Sequence, residues 1–365
     1  MKKLLFIRYK KPEKILEGGE QVSQKNYDAF VRLLGEENVT PYYIHGENSR
    51  NIFYYIKGIF YFFFNYFFGL SGKRVGEIVK LASDYNFVFI DRSVFGILAK
   101  LLKINNYKGK IITFFHNVEK KYFADKISPF APWRFLVLNC ADKNDKYACL
   151  YSDKITALNA RDAREIEKKY NRNPDLLIPI AFKDVYNQSS YPQGNTSVPL
   201  KCLFIGTYFP ANAEGIKWFI QEVFPFVDIH LQVVGKGMNQ LKKDLNIPES
   251  VELIADAPDL KPYFESADVV ILPIFKGSGM KVKTCEALMY GKNIIGTTEA
   301  FEGYEMDYNL VGGCCNTESD FIKKIEDFIS SPQPRFNTYS REIFLEKYSE
   351  QSVSVKFKVL LESLN

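Results

Sequence analysis

The chain predicts an α/β protein of two domains, each built around a parallel sheet, and three observations carry that expectation. Short apolar runs alternate with longer amphipathic segments along most of the sequence, as strands joined by crossover helices do. The rhythm breaks at a stretch rich in Ser, Asn, Gln, Gly and Pro, Tyr186–Pro199, and restarts beyond it, which reads as a linker. A length of 365 residues exceeds one ordinary core and suits two. Two such units would leave a cleft between them.

The elements follow in order. The start, Met1-Lys-Lys-Leu-Leu-Phe-Ile-Arg8, has a basic end and an apolar centre, but Arg8 and further charges cut the apolar part short. A first strand at Leu4–Ile7 is therefore expected rather than a signal peptide. Further strands are expected at Val39–Ile44, Phe87–Ile90, Ile111–Phe115 and Ile155–Leu158. Helical spacing marks Val22–Leu34, Val75–Ala82, Phe95–Leu102 and Ala163–Tyr170. In the second half the apolar runs are Leu203–Ile205, Ile229–Val234, Val251–Ile254, Val269–Leu272 and Asn293–Ile295. The tail Tyr339–Leu364 keeps helical spacing with no strand after it. It either finishes the second domain or crosses back to the first.

Composition narrows the class. Hydrophobic residues make up 46% and charged residues 25%, which is ordinary for a globular protein. The net charge of +5 is the difference of 48 basic and 43 acidic residues, too balanced for a nucleic-acid partner yet compatible with phosphates or lipid headgroups. The six cysteines form no CxxC pair and no zinc spacing with histidine, so reduced thiols in a cytoplasmic protein are expected.

One segment carries most of the chemistry. After the strand Val269–Leu272 comes Gly277-Ser278-Gly279, and a helix then begins, with Lys281, Lys283 and Glu286 in its first turns. Backbone N–H groups at a helix start, glycines that permit close approach and adjacent lysines together form a phosphate site. Glu286 follows Lys283 by three positions and shares its side of the helix. A carboxylate there does not hold phosphate; it suits sugar hydroxyls such as those of a ribose. The segment implies a nucleotide-diphosphate pocket.

Gly277-Ser-Gly-Met-Lys-Val-Lys-Thr-Cys-Glu286-Ala-Leu-Met-Tyr-Gly291 resembles the donor-site signature of GT-B glycosyltransferases of the group 1, or GT4, family. Phe204-Ile-Gly-Thr-Tyr-Phe-Pro-Ala-Asn212-Ala-Glu-Gly-Ile-Lys-Trp-Phe219 and Val233-Val-Gly-Lys-Gly237 are similar to two further second-domain segments of that family. His116-Asn-Val-Glu119 resembles its first-domain histidine loop, and Asp91-Arg-Ser-Val-Phe-Gly96 a common first-domain segment. The resemblance implies two Rossmann-like domains with parallel sheets facing an interdomain cleft: residues 1–183 bind the acceptor, 184–199 link, 200–340 bind the nucleotide sugar, and 341–365 form helices that pack back on the first domain. It also implies transfer with retention, no metal and no cofactor beyond the nucleotide diphosphate sugar donor. No Asp-x-Asp occurs. The implied acceptor is a glycan, lipid-linked, in surface polysaccharide assembly. One departure stands out: the first glutamate of the family's Glu-x7-Glu falls at Ser278, which keeps hydrogen-bonding capacity and loses the charge.

The resemblance assigns roles to residues. Glu286 takes the ribose hydroxyls; Lys283, with Lys281, meets the diphosphate charge that grows as the sugar bond breaks. Gly277, Ser278, Gly279 and Met280 act through backbone N–H groups. Gly206 and Thr207 form a second phosphate turn at a strand end, and Gly235 lies in the strand-to-loop segment near the nucleotide, where Lys236 and Asp256 are candidates for base recognition. His116 faces the transferred sugar or acceptor, and Glu119 either orients His116 or caps the next helix. Gly18 and Gly19 form a first-domain glycine loop. Two competing functions use the same fold: a nucleotide-sugar epimerase, and a degenerate transferase serving as a partner subunit.

Residues 52–70 are the compositional outlier, dense in Phe and Tyr. Lys57, Asn65 and two glycines make this a poor membrane span. Either it is a helix partly buried in the first domain, or it rests an aromatic face on the inner surface of the cytoplasmic membrane beside Lys73 and Arg74.

Overall fold

The computed structural model describes residues 2–12, 18–45, 60–186, 194–277 and 279–364. It divides into two units, Met1–Ala181 with Glu350–Asn365, and Phe182–Ser349. Ser278, and residues 52–59 of the aromatic segment, lie outside the described residues.

The first unit holds a six-stranded sheet in the order β2-β1-β3-β4-β5-β6, all parallel. Its strands are β1 (Leu4–Arg8), β2 (Val39–Tyr43), β3 (Phe87–Ile90), β4 (Lys110–Phe115), β5 (Lys154–Ala157) and the short β6 (Leu176–Leu177). Every residue of β1 and β3 is buried. Helices covering both faces of a parallel sheet produce such continuous apolar runs. The chain leaves β1 for β2 on one side and reaches β3 on the other, so the β1/β3 boundary is a switch point where the following loops part.

The second unit repeats the plan in another order, β12-β11-β10-β7-β8-β9, again parallel. Its strands are β7 (Leu200–Ile205), β8 (Ile229–Val234), β9 (Val251–Ile254), β10 (Val269–Leu272), β11 (Asn293–Gly296) and β12 (Gly312–Cys314). Here the switch point lies between β7 and β10. The segments opened by Gly206 and by Pro273 therefore leave adjacent strand ends.

Three features differ from the sequence expectations. Gly18 and Gly19 are not loop residues; they open the helix Gly18–Leu34. The described ends of the 184–199 linker belong to the second unit. Asp184 pairs with Arg341, Tyr186 stacks on Phe336 at 6.2 Å, and the Ser197 N–H donates to Asp268. Buried contacts of this kind hold a polar stretch on a domain that its composition alone assigns to solvent.

The tail divides at Glu350 rather than at residue 341. Residues up to Ser349 stay in the second unit, where Arg341 donates to the Met289 carbonyl at 2.8 Å and the buried Tyr348 hydroxyl accepts from Glu305 N–H at 2.7 Å. The last helix, Glu350–Glu362, belongs to the first unit. Its Phe357 is fully buried, 4.5 Å from the Phe30 ring and 6.0 Å from the Phe89 ring of β3. Arg32 and Glu350 add an ion pair at 3.4 Å.

Phe357→Ala removes a large ring from this contact. It is expected to destabilise the first unit by about 3–5 kcal/mol, read as a lower midpoint in urea unfolding. An unchanged midpoint contradicts the packing role of the last helix.

Candidate active site

The second-unit site is built from backbone first. At Gly235, φ is +143°, a value that side chains disfavour, and a Cβ there would lie 2.0 Å from the Gly206 carbonyl oxygen. Only bare backbone lets the ends of β7 and β8 come this close. The N–H of Gly206 donates to Val234 O at 3.0 Å and that of Gly235 to Ile254 O at 2.9 Å. These two glycines thus contribute space rather than phosphate-binding N–H groups.

The space is a cavity of about 710 Å³ lined by Gly206, Thr207, Asn212, Gly235, Lys236, Asp256, Lys283 and Glu286, with Pro258 and Leu260 among its apolar walls. Lys283 and Glu286 come from the helix Val282–Met289, and their three-residue spacing puts both on the cavity side. Burial, and after it Lys281, lower the pKa of the Lys283 ammonium to about 8, with Glu286 opposing the fall. Lys283 Nζ donates to Asn212 Oδ1 at 2.5 Å, and it lies 5.9 Å from the Phe204 ring centroid.

Asn212 was a motif residue without a role at the sequence level. It sits in the first turn of the helix Pro210–Trp218, and its Nδ2 donates to Thr207 O at 2.9 Å. A polar side chain one turn beyond a strand-end glycine was the available signal; which lysine it meets depends on tertiary packing.

The rest of the glycine turn is not among the lining residues. Lys281, expected at the phosphates, is an N-cap residue whose ammonium pairs with Glu299 at 2.7 Å and donates to Gly279 O at 2.8 Å. Tyr304 donates its hydroxyl proton to Lys281 O at 2.7 Å. Met280 packs against the second-unit core. Gly277 and Gly279 both adopt positive φ, 153° and 69°, which shapes the turn. Ser278, the departure from the family pattern, lies outside the described residues.

The first unit gathers a second group at its own switch point. His116, following β4, is buried with Nε2 3.4 Å from Asp91 Oδ1. Asp91, following β3, accepts hydrogen bonds from Ser23 and, at 3.4 Å, from Asn26 Nδ2. Burial lowers the pKa of His116 although Asp91 pulls it upward. A Cβ on Gly19 would come within 2.8 Å of Arg92 Nη2, so Gly19 makes room for that guanidinium.

Glu119 performs neither role expected of it. It is the first residue of the helix Glu119–Lys126, whose cap, Val118, has no side-chain hydrogen bond. Its carboxyl is fully buried, Oε1 has no hydrogen-bond partner, and no bond to His116 occurs among the described residues. Burial raises its pKa to about 7, while Arg92 acts to lower it. Asp145, held by Ser93 Oγ at 2.7 Å, is raised to about 8 by burial and then by Glu119.

Two parallel six-stranded sheets, the second with a cavity lined by a lysine and a carboxylate, share the GT-B fold of solved glycosyltransferases. Residues 199–331 match the family described as glycosyl transferases group 1; the chain carries a group 1 glycosyltransferase domain in its second unit and is a glycosyltransferase.

The solved structure of the lipopolysaccharide outer core galactosyltransferase WaaB is similar, with TM-score 0.68, 13% identity and 99% of each chain covered. Anabaena HepE in complex with UDP gives a TM-score of 0.62 at 14% identity over 100% of both chains. A 44.6 kDa protein of the cps region of Klebsiella pneumoniae is 24% identical over 295 residues, 76% of this chain and 72% of the relative.

The buried acids make stability depend on pH. From pH 4.5, the ordinary value for Glu119, the unfolded chain releases protons that the folded Glu119 keeps until about 7, so stability falls as pH rises through this window. Glu119→Gln lacks that loss. Its urea stability relative to the wild type is expected to rise between those two pH values, by on the order of 3 kcal/mol; parallel pH curves would contradict the buried, protonated carboxyl.

Proposed function

We propose that this glycosyltransferase moves a sugar from a nucleoside diphosphate donor to a glycan acceptor in the assembly of a surface polysaccharide. The observation that carries the donor assignment is the pairing of Lys283 and Glu286 in one cavity beside the bare backbone of Gly206 and Gly235. A diphosphate fits the cation and a ribose the carboxylate, which accepts hydrogen bonds from vicinal hydroxyls. Crystal structures of HepE hold UDP and, in one case, UDP-glucose, and this supports the same donor class. WaaB acts on lipopolysaccharide outer core, and the Klebsiella relative lies in a cps region. These support a polysaccharide setting.

In the proposed reaction the bond from the sugar's anomeric carbon to the β-phosphate oxygen breaks, and negative charge grows on the leaving diphosphate. The Lys283 ammonium stabilises that charge. A bound diphosphate also raises the pKa of Lys283 and keeps it protonated. Transfer proceeds with retention and without a metal, the leaving phosphate oxygen accepting the acceptor's hydroxyl proton as the new glycosidic bond forms. His116, with Gly19 and Arg92 nearby, belongs to the acceptor side. The reading of retention rests on the family resemblance.

The acceptor is proposed to be lipid-linked and reached at an anionic membrane surface. No helix among the described residues is long and apolar enough to cross a membrane. The aromatic segment divides between its two expected roles. Phe62, Phe67 and Leu70 enter the first-unit core, whereas Phe60, Phe63 and Phe64 are 60%, 66% and 53% exposed. Exposed aromatic rings and, a few residues further along the chain, the exposed Lys73 have the composition of an interfacial contact. Arg74 is not part of it, because its guanidinium donates to the carbonyls of Ile44 and Gly69.

Two experiments test these readings. With UDP-, GDP-, CDP- and ADP-sugars, nucleotide release is expected only when a lipid-linked glycan acceptor is present, and Glu286→Ala is expected to lower it roughly a hundredfold. Wild-type turnover in that variant overturns the site. Sedimentation with phosphatidylserine vesicles is expected to carry down the wild type but not the Phe63→Ser/Phe64→Ser variant; equal pelleting of both removes the aromatic face as the contact.

A further inference from the structure

We infer that Asn212 is a positioning residue that holds the Lys283 ammonium charged and ready for the diphosphate. The inference rests on the nucleoside diphosphate reading above. Asn212 spans the switch point of the second sheet. Its side chain rises from the helix after β7, gives Nδ2 to Thr207 O at 2.9 Å and takes Lys283 Nζ on Oδ1 at 2.5 Å. The first bond orients the amide, so that its oxygen faces the lysine. The second fixes the end of a four-carbon stem that otherwise samples many rotamers, and prior fixing of a side chain reduces the entropy lost on binding.

The choice of an amide follows from the charge around Lys283. Lys283 pairs with no carboxylate among the described residues at ion-pair distance. Glu286 and Lys281 act on it from its own helix and helix cap. Lys236, from the segment after β8, and Asp256, from the segment after β9, line the same cavity. In this setting a neutral acceptor supplies a hydrogen bond to the ammonium without cancelling its charge. An aspartate at position 212 would neutralise Lys283 and repel phosphate. An alanine would leave a partly buried ammonium short of one acceptor, which favours the uncharged amine.

The bond also places the lysine where a phosphate oxygen can replace the amide oxygen. Thr207 and Asn212 both line the cavity with Lys283. On binding, an ammonium proton turns from the amide oxygen to a phosphate oxygen, with no covalent bond made or broken.

The test is calorimetric titration with UDP, and with GDP as a second probe, across about pH 7 to pH 9. Four proteins are compared with the wild type: Asn212→Ala, Asn212→Asp, Lys283→Met and the Asn212→Ala/Lys283→Met double variant. Thermal melts verify that each is folded. Asn212→Ala is expected to weaken binding about tenfold and to move the alkaline fall in affinity to lower pH. Asn212→Asp is expected to weaken binding while moving that fall to higher pH. In the Lys283→Met background, Asn212→Ala is expected to cost less than about twofold, since the residue acts through the lysine.

An equal loss in both backgrounds, or a pH profile unchanged by Asn212→Ala, overturns the positioning role while leaving the diphosphate reading intact. Failure of the wild type to bind either UDP or GDP overturns both. A measurement without ligand separates the two further: the Lys283 side-chain titration, followed by NMR, is expected to move down in Asn212→Ala and up in Asn212→Asp. A titration that stays in place overturns the inference whatever the nucleotides do.

Discussion

The second unit depends on a contact between two pieces of backbone. Where β7 and β8 end, the Gly206 carbonyl and the Gly235 Cα approach so closely that a Cβ on Gly235 would sit 2.0 Å from that oxygen. This contact lies beside the β7/β10 switch point, where the segments that follow the strands part and leave a crevice. With two glycines as the floor, the neighbouring elements deliver Asn212, Lys283 and Glu286 to one cavity. A Cβ at Gly235 would strike the Gly206 carbonyl, and one at Gly206 would press on the Asn212 amide at 3.0 Å.

Burial then tunes the charges, with opposite results in the two units. In the second, removal of water depresses a cation, Lys283, toward neutrality, and a hydrogen bond from its ammonium to a neutral amide favours the charged form. In the first, the same removal raises Glu119 and Asp145, so that two acids share a buried region where simultaneous ionisation is costly. His116, beside Asp91, has its pKa lowered by the same burial. The second-unit cavity thus holds a cation weakened by burial, and the first-unit group holds acids weakened by it.

Much of this was legible from residue order. The alternation of apolar runs located ten of the strands, because a doubly covered parallel sheet requires continuous hydrophobic segments. It missed β6 and β12, two and three residues long, which are too short to stand out. The spacing of Lys283 and Glu286 put them on one helix face, and they do share a cavity. Lys281, two positions from Lys283, read as an equivalent lysine. Its partner Glu299 is eighteen residues away in sequence, and only folding brings it within reach. Asn212 and Arg92 were likewise visible as motif residues and silent as to their contacts.

The tail shows the same division. Helical spacing after Tyr339 identified helices but not the domain they serve, since an amphipathic face states that it will be covered and not by what. Tertiary packing assigns Phe357 to Phe30 and Phe89 in the first unit, and Arg341 to Asp184 in the second. Residue order alone set the α/β class, the two-unit plan and the glycine, lysine and glutamate pattern of the Gly277–Glu286 segment, because these depend on local periodicity and on residues close in the chain. The tertiary structure decided which lysine lines the cavity, which amide holds it and where the chain crosses back, because each of these depends on contacts between residues far apart in sequence.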